Sequence, residues 1–292
     1  METFVIALVV VSAIIHAFWN FLIKKARDKQ VFVWLLQLFS LLFFLPVFAY
    51  FFIKEGIKSS IGIYISIASG FFIFLYLYFL SKSYDKGDLS HVYPIIRSAP
   101  ALVLIFAIVF LKEHVSALGF LGISFVFVGA YTINMKKISF LELLEPPRLI
   151  AKDRTTQFAF LTLIFVVAYT IADKVGVGYI HPFIYIYFIY FFSFLFFSAY
   201  ILFSKSKNLI SAEWNLNKKN ILMSGFLAIF GYSLILLAFT SERVSYVVAL
   251  RQLSIIFAFI LSSYFLNEKN KAIRFSAAAL IFIGAFFISI AQ

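Results

Sequence analysis

The sequence predicts an all-α membrane protein, ten transmembrane helices in two inverted five-helix repeats around a central cavity. Three observations carry that prediction. Of 292 residues, 63% are hydrophobic and 13% charged, with 41 Phe, too little charge to cover a water-facing surface. The apolar residues fall into runs near the length of about 20 that crosses a bilayer as a helix. These runs do not alternate apolar and polar residues as the strands of a membrane β-barrel would. Finally, the second half of the chain repeats the first.

The runs lie at 3–23, 31–53, 61–82, 88–111, 117–135, 155–175, 182–204, 221–240, 245–266 and 272–291. The first opens on Glu2, and Lys24 and Lys25 follow it, so it reads as a span rather than a secretory signal with a basic start. The second and third are bounded by Lys54, Lys58 and Lys86. The fourth runs from Asp88 to Lys112 and contains Pro94, Arg97 and Pro100; the prolines loosen its hydrogen-bond ladder and suit a mobile helix or a static kink. The fifth ends at "KKISFLELLEPPRLIAKDR", 136–154, whose charges and Pro146-Pro147 pair read as a linker. Residues 1–140 form the first repeat, 141–154 the connection and 155–292 the second repeat. A shift of 155 residues sets "SGFF" (69–72) on "SGFL" (224–227), "FLKE" (110–113) on "FLNE" (265–268) and "VFVGA" (126–130) on "IFIGA" (281–285).

Five spans per copy is an odd number, so the second copy enters the membrane upside down. The loops joining odd to even spans hold eighteen Lys and Arg against five in the others, as an inverted repeat requires under the positive-inside rule. That bias puts the richer loops in the cytoplasm and both termini outside. The net charge of +12 is therefore assigned to loops beside anionic lipid, not to nucleic acid. With no Cys, disulfides and thiolate chemistry are excluded. The four His lack metal-ligand spacing, and no P-loop, H-E-x-x-H or G-x-S-x-G is present, so neither a metal site, a cofactor nor an enzyme is expected.

Polar residues inside the spans are the candidate site. Arg97 lies about 13 Å along its helix from Asp88, and Arg251 about 12 Å from Arg243. In inverted copies the two enter from opposite faces and approach the midplane. Each costs about 2.5–3.5 kcal/mol there, and such residues face a bundle interior or a watery cavity. A guanidinium fork fits a carboxylate or phosphate. Gln252 is the strict repeat counterpart of Arg97, and Tyr93 shares its face. Ser12, His16, Trp19 and Asn20 form a polar stripe on span 1, and Tyr169 shares a face with Asp173 on span 6. Asp173 reads either as a surface pair with Lys174 or as an ion-coupling group, and no buried carboxylate stands out as a proton or sodium carrier. Glu113 and Glu268 read as ties between helices, and Tyr185, Tyr187 and Tyr190 as packing and membrane-interface belt residues.

Two five-span repeats, a Glu closing spans 4 and 9, and a Gly in spans 5 and 10 resemble the EamA family of the drug/metabolite transporter superfamily. "HAFWNFLIKK" (16–25) and "GDLSHVYPIIRSAP" (87–100) resemble one branch with HAxWN and GDLSxVYPxxR signatures, some of whose members are associated with phosphonate utilisation. Ser98 stands where that branch tends to have Gly. The likeness implies a multi-pass inner-membrane transporter of small metabolites, with a cavity walled by spans 1, 3, 4, 6, 8 and 9. Those walls would hold His16, Trp19, Asn20, Tyr93, Arg97, Tyr169, Arg251 and Gln252. Family habit places both termini in the cytoplasm, against the charge bias. The expected partner is an anionic or zwitterionic small molecule, with the coupling ion unassigned. Efflux of lipophilic cations is the rival reading, weakened by two buried arginines and by a span 1 whose glutamate, Glu2, sits at its extreme end. A membrane protein of this fold that transports nothing is the other rival.

Overall fold

The computed structural model describes residues 1–23, 25–86, 89–133, 135, 153–266 and 271–291. Residues 136–152 of the linker expected at 136–154, and the tie expected of Glu268, lie outside the described residues. Twelve helices are described: α1 (Thr3–Ile23), α2 (Lys29–Glu55), α3 (Ser60–Lys86), α4 (Leu89–Arg97), α5 (Ala99–Leu111), α6 (Ala117–Thr132), α7 (Arg154–Gly176), α8 (Pro182–Ser204), α9 (Lys207–Ser241), α10 (Val244–Arg251), α11 (Leu253–Leu266) and α12 (Lys271–Ile290). Eight helical segments are long and apolar enough to cross a membrane, and two more are apolar but shorter. Their outer faces keep Phe203, Ile53, Phe275 and Tyr64 exposed, an apolar perimeter suited to lipid rather than water.

Twelve helices make ten crossings because spans 4 and 9 are each broken in two. The first break falls between Arg97 and Ala99, where the Ser98 N–H bonds Ile95 O (3.1 Å) and Pro100 opens α5 without an N–H to donate. The second falls at Gln252, whose N–H bonds Ala249 O (3.0 Å); no proline is involved, and the chain simply tightens to i→i−3. The breaks occupy matching places in the two repeats. Each follows an arginine directly.

Helix contacts obey the same two-fold relation. The third span packs on the sixth (α3 on α7) as the first packs on the eighth (α1 on α9). The second and seventh (α2 and α8), and the fifth and tenth (α6 and α12), pair with their own counterparts. In the α6–α12 pair a Cβ on Gly284 would stand 2.5 Å from Gly122 O, and one on Gly122 would stand 2.8 Å from Gly284 O. Small residues bring backbones together where lipid offers no hydrophobic drive. Across α1–α9, Ser12 Oγ donates to Gly231 O (2.7 Å), and across α2–α9 Ser40 Oγ donates to Gly225 O (2.7 Å). Such bonds average about 0.6 kcal/mol each in a membrane.

Span 8 extends further than its apolar run. α9 begins at Lys207, capped by Ser206 Oγ on Leu209 N (3.3 Å), and its polar first turns are held by Glu213. That carboxylate is fully buried, accepting from Asp28 N (2.8 Å) and Asn217 Nδ2 (2.7 Å). Lys205 Nζ reaches Asp28 Oδ2 at 2.6 Å, closing this end of the bundle. At the opposite end Glu113 accepts from Val244 N (2.6 Å) and Ser245 Oγ (2.7 Å), capping α10 from the other repeat. Glu113 thus ties helices as expected.

Candidate functional site

Between the two repeats lies a cavity of about 90 Å³. Its wall takes Ser12, His16 and Trp19 from α1, Val33, Leu36 and Gln37 from α2, Ile73, Tyr76 and Leu77 from α3, and Tyr169 from α7. Tyr190 of α8, Ala228, Gly231 and Tyr232 of α9, and Arg251 of α10 complete it. Spans 2 and 7 therefore join spans 1, 3, 6, 8 and 9, and span 4 is not in the wall, a correction to the walls that the resemblance implies.

Of the expected residues, His16, Trp19, Tyr169 and Arg251 line this space. The Arg251 guanidinium lies over the Tyr232 ring, 5.1 Å from its centroid, with Nη2 3.4 Å from His16 Nδ1. Its Nε is buried without a hydrogen-bond partner, and among the described residues no carboxylate pairs with it. His16 in turn meets the edge of Trp19, ring centroids 5.2 Å apart. One guanidinium, one imidazole and a belt of phenols converge.

Arg97, Tyr93 and Gln252 form a second cluster beside the cavity and are not in its wall. Arg97 stacks on Tyr93 at 4.8 Å and donates to Gln252 Oε1 at 3.2 Å. Its charge still interacts with His16 and Tyr76 of the cavity wall. The repeat counterparts 97 and 252 thus touch each other across the two-fold. Asn20, expected in the lining, is turned away: its Nδ2 donates to His16 O one turn back (2.7 Å).

Sequence reasoning left Asp173 open between a surface pair and an ion-coupling group, and it missed that Tyr185, which packs in the core as expected, also bonds Asp173. The pairing of Asp173 with Lys174 is corrected by the fold: Lys174 Nζ donates to Phe239 O (2.5 Å) and Glu242 O (2.8 Å) at the end of α9, while Asp173 is fully buried. Asp173 accepts from Ser69 Oγ, Tyr185 OH and Tyr232 OH. Tyr185 reaches it only because residue 176 is glycine; a Cβ there would fall on the Tyr185 ring. Tyr190, expected in packing, lines the cavity, while Tyr187 does pack, stacking on Phe48 at 4.1 Å. The available signal was the i,i+4 spacing of Tyr169 and Asp173, which set Asp173 on the cavity side of span 6. Among the described residues no group of three or more His, Asp or Glu converges as a metal site would require.

Comparison with known proteins agrees with this architecture. A solved protein crystal structure superposes with a TM-score of 0.70 at 10% identity, covering 99% of this chain and 98% of that one, a likeness of fold alone. No curated protein matches the sequence. The EamA-like transporter family model matches twice, over residues 3–135 and 155–290, once for each five-span repeat. With both halves of the bundle so matched, the chain belongs to the EamA-like transporter family, and through it to the drug/metabolite transporter superfamily.

Proposed function

We propose that this protein is a secondary transporter that moves a small anionic or zwitterionic metabolite across the cytoplasmic membrane by alternating access. Members of its family are transporters rather than enzymes, and a membrane transporter implies a small-molecule substrate. The observation that carries the substrate class is Arg251: a guanidinium in a cavity wall, with a buried donor unsatisfied and, among the described residues, no carboxylate within ion-pairing distance. A charge left so in a membrane interior is costly unless a ligand meets it. Arg251 would take the carboxylate or phosph(on)ate group, with His16 beside it. A ligand ammonium would sit against the faces of Tyr76, Tyr169, Tyr190 and Trp19, where aromatic quadrupoles favour cations. One water needs about 10–15 Å³, so the cavity suits a ligand of about six to nine heavy atoms, the scale of a small amino or organic acid.

Arg97 and Gln252 join the helix breaks of the two repeats, a natural place for one repeat to rock against the other. The ties at the two ends, Lys205–Asp28–Glu213 and Glu113–α10, would open in turn. Purified protein in liposomes tests the reading with a panel of amino acids, organic acids and phosphonates. Saturable uptake of an anionic or zwitterionic member, lost in Arg251→Met with folding intact, supports it. Uptake of lipophilic cations alone, or of nothing on the panel, would sink it.

A further inference from the structure

Asp173 is, among the described residues, the carboxylate whose side chain meets the cavity wall from behind, through Tyr232, and none of the roles above uses it. Ser69 Oγ donates to its Oδ1 (2.5 Å), Tyr185 OH to the same oxygen (3.1 Å), and Tyr232 OH to Oδ2. The three donors come from α3, α8 and α9. No Lys, Arg or His among the described residues lies within ion-pairing distance, and neighbouring Lys174 is committed to carbonyls of α9 and the residue that follows it. The charged and titratable groups facing the carboxylate are Tyr185 and Tyr190 of α8, Tyr232 of α9, Arg251 of α10 and, on its own helix, Tyr169; α3 contributes Ser69.

Burial without a contacting cation favours the neutral acid, while three hydroxyl donors favour the carboxylate. Opposed influences of this kind suit a group that takes up and releases a proton. Tyr232 joins this site to the cavity. Its hydroxyl is on Asp173, its ring lies under Arg251, and it lines the cavity.

We propose, resting on the transport reading above, that Asp173 is the proton-carrying site of this transporter and that Tyr232 conveys its state to the substrate cavity. One proton from water on one side of the membrane adds to the carboxylate and one leaves to water on the other. On protonation the Asp173 O–H donates to Tyr232 Oη, and the Tyr232 hydrogen turns to the cavity as a donor for the substrate. The same step removes a negative charge near Arg251 and strengthens anion binding there. Proton and anion therefore bind together, and by linkage each raises the affinity for the other. The expected coupling is symport.

Infrared difference spectroscopy on the purified wild-type protein, titrated between about pH 5 and 9 without substrate, reads the site directly. A carboxylic-acid carbonyl band that comes and goes with pH in wild type and is lost in Asp173→Asn supports the proposal. Ser69→Ala, which keeps the carboxyl and removes one donor, shifts that band to higher frequency, so the test stands even if Asp173→Asn fails to fold. Absence of a titrating band in wild type, or its removal by sodium chloride but not choline chloride at fixed pH, overturns it. The substrate panel separates this result from the transport reading. Affinity for a bound anion rises by up to about tenfold per unit fall in pH in wild type and stays flat in Asp173→Asn. Flat affinity in wild type refutes coupling and leaves transport standing. A titrating band with no panel member bound refutes the substrate class and leaves the proton site standing.

Discussion

Replacing Arg251 with Met should move stability and ligand binding in unlike measure. In the unliganded protein the guanidinium makes one cation–π contact with Tyr232 and one long bond to His16, while its Nε is buried without a partner. The contact with Tyr232 is worth about 0.5–2 kcal/mol. The bond to His16 is worth about 0.5–1 kcal/mol at this length, and the unsatisfied donor costs about 1–3 kcal/mol. These contributions nearly cancel. Met fills similar volume without a charge to desolvate, so the unfolding free energy should stay within about 1 kcal/mol of wild type. That is far from the loss of about 2–5 kcal/mol usual for a truncated buried side chain. Binding should suffer much more: a charge-assisted bond to a carboxylate is worth about 1.5–3 kcal/mol, or about ten- to 150-fold in affinity. The chain has no Cys, so thiol-reactive dyes are useless and intrinsic fluorescence of its three Trp is the readout for thermal unfolding with and without ligand. A variant that unfolds several degrees lower yet keeps the full ligand-induced shift would refute the assignment of Arg251 to an anion.

Three further outcomes follow from the packing. Gly284→Val should lower stability by about 2–3 kcal/mol through overpacking, because its Cβ meets the Gly122 carbonyl 2.5 Å away and backbone cannot yield as a side chain can; thermal unfolding in detergent measures it. Glu113→Ala removes the acceptor for Val244 N and Ser245 Oγ and should cost about 2 kcal/mol, with faster amide exchange at the start of α10. Asp153 caps α7, and bonds from the Thr155 and Thr156 side chains and the Thr156 N–H hold its carboxyl at about 2, below the ordinary 3.8. Since the folded value is the lower, the cap acts fully above about pH 4 and is lost as pH falls through its folded value. Asp153→Ala should therefore cost about 1 kcal/mol at neutral pH and almost nothing near pH 2, seen as two unfolding curves that converge on acidification.

Much of the helix plan was readable in advance because it depends on one solvent. Lipid accepts only runs of apolar residues with their backbone bonds closed, so span positions, the duplication and the inversion are written in hydropathy and loop charge. The depth of Arg97 and Arg251 could be counted from flanking charges. That Arg97 would meet Gln252 of the other repeat could not, since spacing within one repeat does not fix its neighbours in the other. The polar start of α9 read as loop because its stability comes from Glu213 against Asp28, 185 residues away in sequence.

The amino-acid order by itself determined the ten crossings, their two-fold kinship and the presence of two cations within the bilayer, all consequences of composition along one dimension. Tertiary structure decided which of those groups meet. It put Arg251 in the cavity wall and Arg97 beside it, and it turned Asn20 back on its own helix. It also carried Asp173 away from the lysine next to it and into three hydroxyls from three other helices. The reason is the reach of a polar side chain: a hydrogen bond is settled within about 3 Å, and neighbours at that range are chosen by packing, not by sequence spacing.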